Sequence, residues 1–272
     1  APAGAAHYRS TGASLPESTV RLSEEADAIL LGACGLPQVR YPDGTEIMPQ
    51  VELRFIFDLY AGVRPCRLIP GVPSPIVGAD RQGIDLVVVR ESTEGLFASM
   101  GKGVVTPDEA RETLVITRKT SERLFDFSLR LAERRKARGG KGTLTCVDKA
   151  NVMVMENMFG DILSDLAASL IGGMGMAPSA DIGDTHAVFQ PCHGTAPDIM
   201  GQGKANPTAM LLSAALMLDW LADKHGHAPA EEGARKIEAA IDAAYAAGLR
   251  PFEFGGSDGT ATIAGAAIGA LR

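Results

Sequence analysis

Short apolar runs, each bounded by glycine or charge, alternate along this chain with stretches of helical periodicity. Ala28 to Leu31 (AILL), Ile84 to Val89 (IDLVVV) and Thr143 to Val147 (TLTCV) have the length and composition of buried strands. Residues 121 to 136 (SERLFDFSLRLAERRK) put Leu124, Phe127, Ser128 and Leu131 on one stripe, finish in basic residues and stop at Gly139 and Gly140. That pattern predicts a helix whose terminal charge complements its dipole. Asn206 and Pro207 predict an N-cap and first helical residue for a second helix, which reaches Lys224 and His225 before Gly226. The alternation predicts an α/β protein with strands at least partly parallel, without internal repeat or low-complexity tract.

Composition narrows this picture. A chain of 272 residues, 46% hydrophobic and 22% charged, buries a sizeable core in one large or two medium domains. Its net charge of -7 is spread out, and basic residues form no block beyond Arg134, Arg135, Lys136 and Arg138, which argues against a nucleic-acid partner. Cys34, Cys66, Cys146 and Cys192 lie far apart, without CxxC spacing, and fit a reduced, cytoplasmic setting. No apolar run approaches the roughly 20 residues that cross a bilayer, so no membrane partner is expected.

Several residues stand where chemistry is done. Arg54 lies in a helical pattern (QVELRFIFDLY), Arg64 in the turn-like VRP, and Arg90 closes the strand IDLVVVR. Each taken singly also fits an ordinary ion-paired arginine. Arg90 is set apart because strand ends in α/β sheets open onto ligand crevices. Lys149 and Asn151 follow TLTCV in the same way. A lysine there suits a general base or a solvated loop. In NMFGDILSDLAASL, residues 157 to 170, Phe159, Ile162, Leu163, Leu166 and Leu170 form an apolar stripe while Asp161 and Asp165 share a face at i and i+4. Two such carboxylates suit part of a Mg2+ or Mn2+ shell, or a plain solvated face. The glycine-rich HGTAPDIMGQGKANP, residues 193 to 207, leads into the second helix and offers backbone N–H groups to an anion. It is not a Rossmann fingerprint, since Asn206 stands where the third glycine belongs.

Together, LRFIFDLYAGVRP, VVVRESTEG, VITRKTSERL, VDKANVM, ENMFGDILSDLAASLIGGMGMAPSADIGD, HGTAPDIMGQGKANPTAMLLSAALML and FGGSDGTATIAGAAI resemble the β-decarboxylating dehydrogenases that act on isopropylmalate, isocitrate, homoisocitrate, and tartrate or D-malate. The resemblance runs nearly the length of the chain in the family's order. It implies an α/β fold of two open domains of the isocitrate/isopropylmalate dehydrogenase type, with the active site in the cleft between them. Residues 1–60 with 172–272 would form the larger domain, carrying the NAD adenosine loop, and 61–171 the smaller one. By the same resemblance Arg54, Arg64 and Arg90 hold the carboxylates of a malate-like 2-hydroxy acid. Lys149 is the general base, and Asn151 lies against the nicotinamide. Asp161 and Asp165 bind Mg2+ or Mn2+, which stabilises the enolate left when CO2 departs. His193, Gly194, Thr195, Ala196, Asp198 and Asn206 match the adenosine loop, where a carboxylate at Asp198 favours NAD over NADP. A homo-oligomer, dimeric or larger, with shared active sites is expected.

The chain also departs from the family. The family's Tyr seven residues after the Arg90 position, which helps protonate the enolate, is Phe97 here, and a phenyl ring has no proton to give. The substrate-sorting position one turn before Arg54 is Gln50, which favours a polar or small substituent over an isopropyl group. Gln190 replaces an expected Glu, and Glu253 an expected Asp. Two family segments are missing: the first strand with its glycine-rich turn, and several dozen residues near 153–156. The latter carry the third metal-binding Asp, donated to the neighbouring subunit, and a dimer-clasping arm. We expect the whole protein to possess these residues; their true deletion would leave the metal site incomplete and the protein inactive. The function expected is NAD- and metal-dependent oxidative decarboxylation. The alternative is a regulatory or ligand-binding homologue without turnover, which Phe97 favours.

Overall fold

The computed structural model describes residues 1–147 and 157–271. Helices α1 (Ala5–Thr11) and α2 (Glu17–Glu25) lead to strand β1 (Ile29–Leu30). Helix α3 (Pro49–Ile56) precedes β2 (Ala61–Arg67), and the single turn α4 (Ala79–Gln82) precedes β3 (Asp85–Glu91). A hairpin of β4 (Val104–Val105) and β5 (Ala110–Arg111) leads into α5 (Arg118–Ala137). After α6 (Asn157–Leu170) come β6 (Pro178–Ile182), β7 (Ala187–Pro191), α7 (Thr208–His225), α8 (Ala228–Ala246) and α9 (Thr260–Ala270).

Five strands form one sheet in the order β1-β7-β6-β2-β3. The expected parallel pairing is present between β1 and β7, whereas β7–β6, β6–β2 and β2–β3 are antiparallel. The β6–β7 connection is too short for a crossover, so that pair has no parallel option. Side chains alternate between the two faces. Tyr60, Ala61, Val63, Ala180, Ile182 and Phe189 pack with Leu124 of α5 and Trp220 of α7 on one side. Cys66 and Val88 pack with Ala167 and Ala168 of α6, Leu212 of α7 and Tyr245 of α8 on the other. The sheet is continuous through residue 61, because β2 pairs with β6 on one side and β3 on the other.

Helix α5 follows its sequence pattern: Leu124 and Ser128 are buried, Thr117 caps the first turn by accepting from the Thr120 N–H, and Arg134, Arg135 and Lys136 occupy the last turn. Helix α7 begins one residue later than expected, with Pro207 as N-cap, but the Asn206 side chain still accepts from the Thr208 N–H at 3.0 Å. It ends at Gly226 in the left-handed conformation, φ 64°, which glycine adopts without steric cost.

Two expectations are corrected, and the buried face of one helix is decided. Thr143 to Val147 form no strand; the run is exposed and joins no described strand, because an apolar run becomes a strand only where a sheet edge and a cover accept it. Arg64 lies within β2, not in a turn; β6 pairs only with residues 61–63, so Pro65 falls where one side of β2 has no described neighbour. Finally, α6 buries its small face, Gly160, Ser164, Ala167 and Ala168, and leaves Phe159, Ile162 and Leu166 exposed. Close approach to β3 selects the small residues for the inward side.

Candidate active site

One face of the sheet carries a row of paired positions: Arg90 on β3 lies opposite Gly62 on β2, and Gly62 lies opposite Asp181 on β6. A side chain at Gly62 would meet Ser92 Oγ at 2.5 Å and Arg90 Cγ at 2.8 Å, so the glycine opens the space in which these groups converge. Arg64 shares the face two residues along β2, and Arg54 reaches in from the last turn of α3. All three arginines are buried.

Two carboxylates answer them. Arg90 donates a short hydrogen bond to Asp161, and Arg64 Nη2 stands 3.8 Å from the same oxygen. Arg54 Nε lies 3.0 Å from Asp181 Oδ2. This contact is an ion pair rather than an aligned hydrogen bond, since the buried Nε hydrogens of Arg54 and Arg90 find no acceptor among the described residues. Burial lowers the pKa of the Arg90 guanidinium; Arg54 and Arg64 lower it further, and Asp161 and Asp181 oppose them. The cluster is a desolvated concentration of positive charge with unspent donors. Guanidinium groups so placed have the chemistry to meet an anion with several acceptor oxygens.

Asp161 reaches this cluster because α6 lies tightly on β3: a Cβ at Gly160 would fall 2.4 Å from the Cβ of Arg90. Asp165 follows one turn later and is exposed. These two carboxylates are hard oxygen donors on one face, but among the described residues no group of three His, Cys, Asp or Glu side chains is poised around a cation. The pair fits part of a divalent cation's shell and leaves the rest to other oxygens. Gln50 is half-buried in α3, and Phe97 packs edge-on against Phe55 with ring centroids 6.4 Å apart. Lys149 and Asn151 lie outside the described residues.

The glycine-rich loop follows β7 and is tied down at its C-terminal end. Gly203 accepts from the Thr260 N–H at 2.7 Å, and Thr260 Oγ1 donates to the Ala205 carbonyl. Asn206 Nδ2 donates to Glu253 at 2.6 Å while its oxygen caps α7. His193 Nδ1 lies 2.8 Å from the Gly194 carbonyl. Thr195 is half-buried, whereas Gly194, Ala196 and Asp198 are exposed and open to a ligand.

The family described as isocitrate/isopropylmalate dehydrogenase matches residues 1–155 and 151–267. The chain belongs to the isocitrate/isopropylmalate dehydrogenase family. Its match divides close to the point where the resemblance locates a missing internal segment. Among similar proteins, a 3-isopropylmalate/3-methylmalate dehydrogenase from Methanocaldococcus jannaschii is 37% identical, over 97% of this chain and 86% of its own length. An isocitrate/homoisocitrate dehydrogenase from Thermus thermophilus is also 37% identical, over 100% of this chain and 89% of its own. The crystal structure of isocitrate dehydrogenase from Methylococcus capsulatus superposes with a TM-score of 0.80 at 30% identity, covering 99% of this chain and 89% of that one. The TT0538 protein from Thermus thermophilus gives a TM-score of 0.80 at 32% identity; this chain spans 61% of its length. The α/β fold is thus that of the family. Among the described residues no helix is long and apolar enough to cross a membrane.

Sequence reasoning singled out the three arginines and Asp161, which the fold brings together, but missed Asp181, Ser92, Gly62 and Gly160. One signal was available for Asp181: a carboxylate inside PSADI, a strand buried at all five positions, requires a dedicated partner.

Proposed function

We propose that this chain is an NAD- and divalent-metal-dependent dehydrogenase that oxidises and decarboxylates a malate-like 2-hydroxy acid. The observation that carries this reading is the buried cluster of Arg54, Arg64 and Arg90 with its unspent donors. It suits the carboxylates of such an acid, because guanidinium forks match carboxylates in geometry and a desolvated site strengthens each contact. Related proteins bear the names isopropylmalate, methylmalate, isocitrate and homoisocitrate dehydrogenase, which supports the reaction class.

In this reading the arginines fix the acid's carboxylates, and Lys149 takes the proton of the hydroxyl as the carbon is oxidised. By the family resemblance Asn151 would serve the nicotinamide. Asp161 and Asp165 would hold Mg2+ or Mn2+, with substrate oxygens, water or a partner subunit completing the shell. A bound divalent cation supplies electrophilic stabilisation of the charge that develops on substrate oxygen. Asp161, paired here with Arg90 and Arg64, would be the carboxylate that stands between the arginines and such a cation. The exposed Asp198 carboxylate, with His193, Gly194, Thr195, Ala196 and Asn206, supports adenosine recognition and NAD over NADP. Gln50, half-buried in α3 one turn before Arg54, favours a polar or small substituent on the acid.

The site would lie between a lobe of residues 1–60 with 172–272 and one of 61–171. The exposed Ile162 and Leu166 of α6 support a homo-oligomer in which copies cover these apolar side chains. The test is an assay with NAD and Mn2+ against D-malate, tartrate, isopropylmalate and isocitrate, following NADH and CO2 together. Binding without NADH from any of them would favour the non-catalytic reading that Phe97 supports.

A further inference from the structure

Asp181 is 2% exposed and bound from three separate elements. Arg54 of α3 approaches its Oδ2 at 3.0 Å, Gln190 of β7 donates to the same oxygen from Nε2 at 3.3 Å, and Ser92, just past β3, donates to Oδ1 at 3.2 Å. Arg90 adds a coulombic attraction from β3. Of the two carboxylates that answer the arginines, the Asp161 side chain is 53% exposed and that of Asp181 only 3%. Asp161 can therefore turn toward solvent or a cation, whereas Asp181 is a fixed charge held under the cluster.

Gln190 is what permits that charge. The family resemblance leads one to expect Glu at this position. A carboxylate there would stand about as near to Asp181 as the amide does now, and two partly desolvated carboxylates at that range repel, which favours the pair keeping one proton. One proton would then be shared between β6 and β7, and the charge beside Arg54 would depend on pH. With Gln190 the amide donates to Asp181 and brings no second carboxylate to the pair.

We propose that Asp181 is the positioning residue for Arg54, orienting its guanidinium toward the substrate carboxylate, and that the Gln190 amide, a neutral donor, holds the Asp181 carboxylate in place for this task. The inference rests on the reading of Arg54 as a substrate-binding residue. The groups facing Asp181 are Arg54 from α3, Arg90 from β3, Ser92 after it and Gln190 from β7; Asp161 of α6 acts through Arg90.

The test compares Asp181→Asn, Gln190→Glu and the double variant, which moves the carboxylate from β6 to β7. Calorimetry measures the affinity for malonate, a dicarboxylate without the reactive hydroxyl, and steady-state kinetics give KM for the acid that wild type oxidises and for NAD. Asp181→Asn is expected to weaken malonate binding and raise the acid's KM by about tenfold, with KM for NAD unchanged. Gln190→Glu is expected to bind malonate as wild type does at low pH, where the pair shares a proton. As pH rises and that proton leaves, a second negative charge faces the substrate and affinity should fall by about tenfold. The double variant, with one carboxylate, should recover wild-type affinity and lose the pH dependence. Unchanged affinity in Asp181→Asn, a pH-flat Gln190→Glu, or a double variant no better than the singles would overturn the proposal. NADH formation by wild type judges the enzymatic reading separately, because malonate affinity does not require turnover.

Discussion

Replacing Gly160 with alanine tests whether the close contact of α6 with β3 positions Asp161. The added Cβ would lie 2.4 Å from Arg90 Cβ and 3.4 Å from Arg90 Cα. Carbon atoms rest at about 3.5–4.0 Å, so helix and strand must separate by roughly 1 Å or more. Overpacking of this kind costs about 1–3 kcal/mol, while alanine returns roughly 0.5–1 kcal/mol of helix propensity. The net runs from near zero to a destabilisation of about 2.5 kcal/mol, or a Tm lower by up to roughly 5 °C for a chain of this size. Asp161 follows Gly160 directly and moves with it, away from Arg90 and Arg64. Misplacement of about 1 Å at a reacting centre can cost on the order of a hundredfold in kcat/KM. The control is Gly265→Ala in α9, where nothing lies within 4 Å of the added Cβ. There the propensity gain stands alone, and Tm should rise by about 1–3 °C. The assays are thermal unfolding and steady-state kinetics on both variants. Gly160→Ala that matches Gly265→Ala in stability and wild type in kcat/KM would refute the positioning role of this contact.

Other outcomes follow from individual groups. Burial raises the Glu91 carboxyl although Thr93 and Glu94 hydrogen-bond to it. Between the ordinary carboxylate range and that raised value the native chain holds a proton that the unfolded chain releases, so stability declines as pH rises through the window. Glu91→Gln should flatten this part of the Tm-against-pH curve, and an unchanged slope would contradict the account. The Cys66 thiol, in the core beside Val88 and Ile171, is pushed up to about 12 by burial, whereas Cys146 is exposed. A thiol reagent at about pH 8 should modify Cys146 in the native protein and reach Cys66 only after unfolding, as read by peptide mass spectrometry. Phe97→Tyr should raise the ratio of CO2 to NADH if a missing hydroxyl limits protonation; an unchanged ratio would remove Phe97 from the explanation. Chelation of divalent metal should abolish NADH formation and added Mn2+ should restore it, while Asp165→Asn should raise the metal concentration required.

The sequence by itself determined what local periodicity and chemistry encode. Helix α5 was readable because Leu124, Phe127, Ser128 and Leu131 recur at helical spacing and its last turn is basic. The end of α7 was readable because Gly226 supplies a conformation that other residues resist. Arg54, Arg64, Arg90 and Asp161 were singled out by the motifs that contain them. Tertiary structure alone decided which face of α6 is buried. Hydrophobic spacing identified an apolar stripe, but the approach of α6 to Arg90 selects Gly160, Ser164 and Ala167 for the interior. It also decided the fate of Thr143 to Val147, whose composition suits a strand but which no described strand pairs. Asp181 shows the same limit most clearly. Its partners Arg54, Ser92 and Gln190 come from segments scattered through the sequence: strand pairing across Gly62 and between β6 and β7 brings Ser92 and Gln190 to it, and the packing of α3 brings Arg54. Patterning reports the neighbours of a residue along the chain, whereas a buried charge is governed by its neighbours in space.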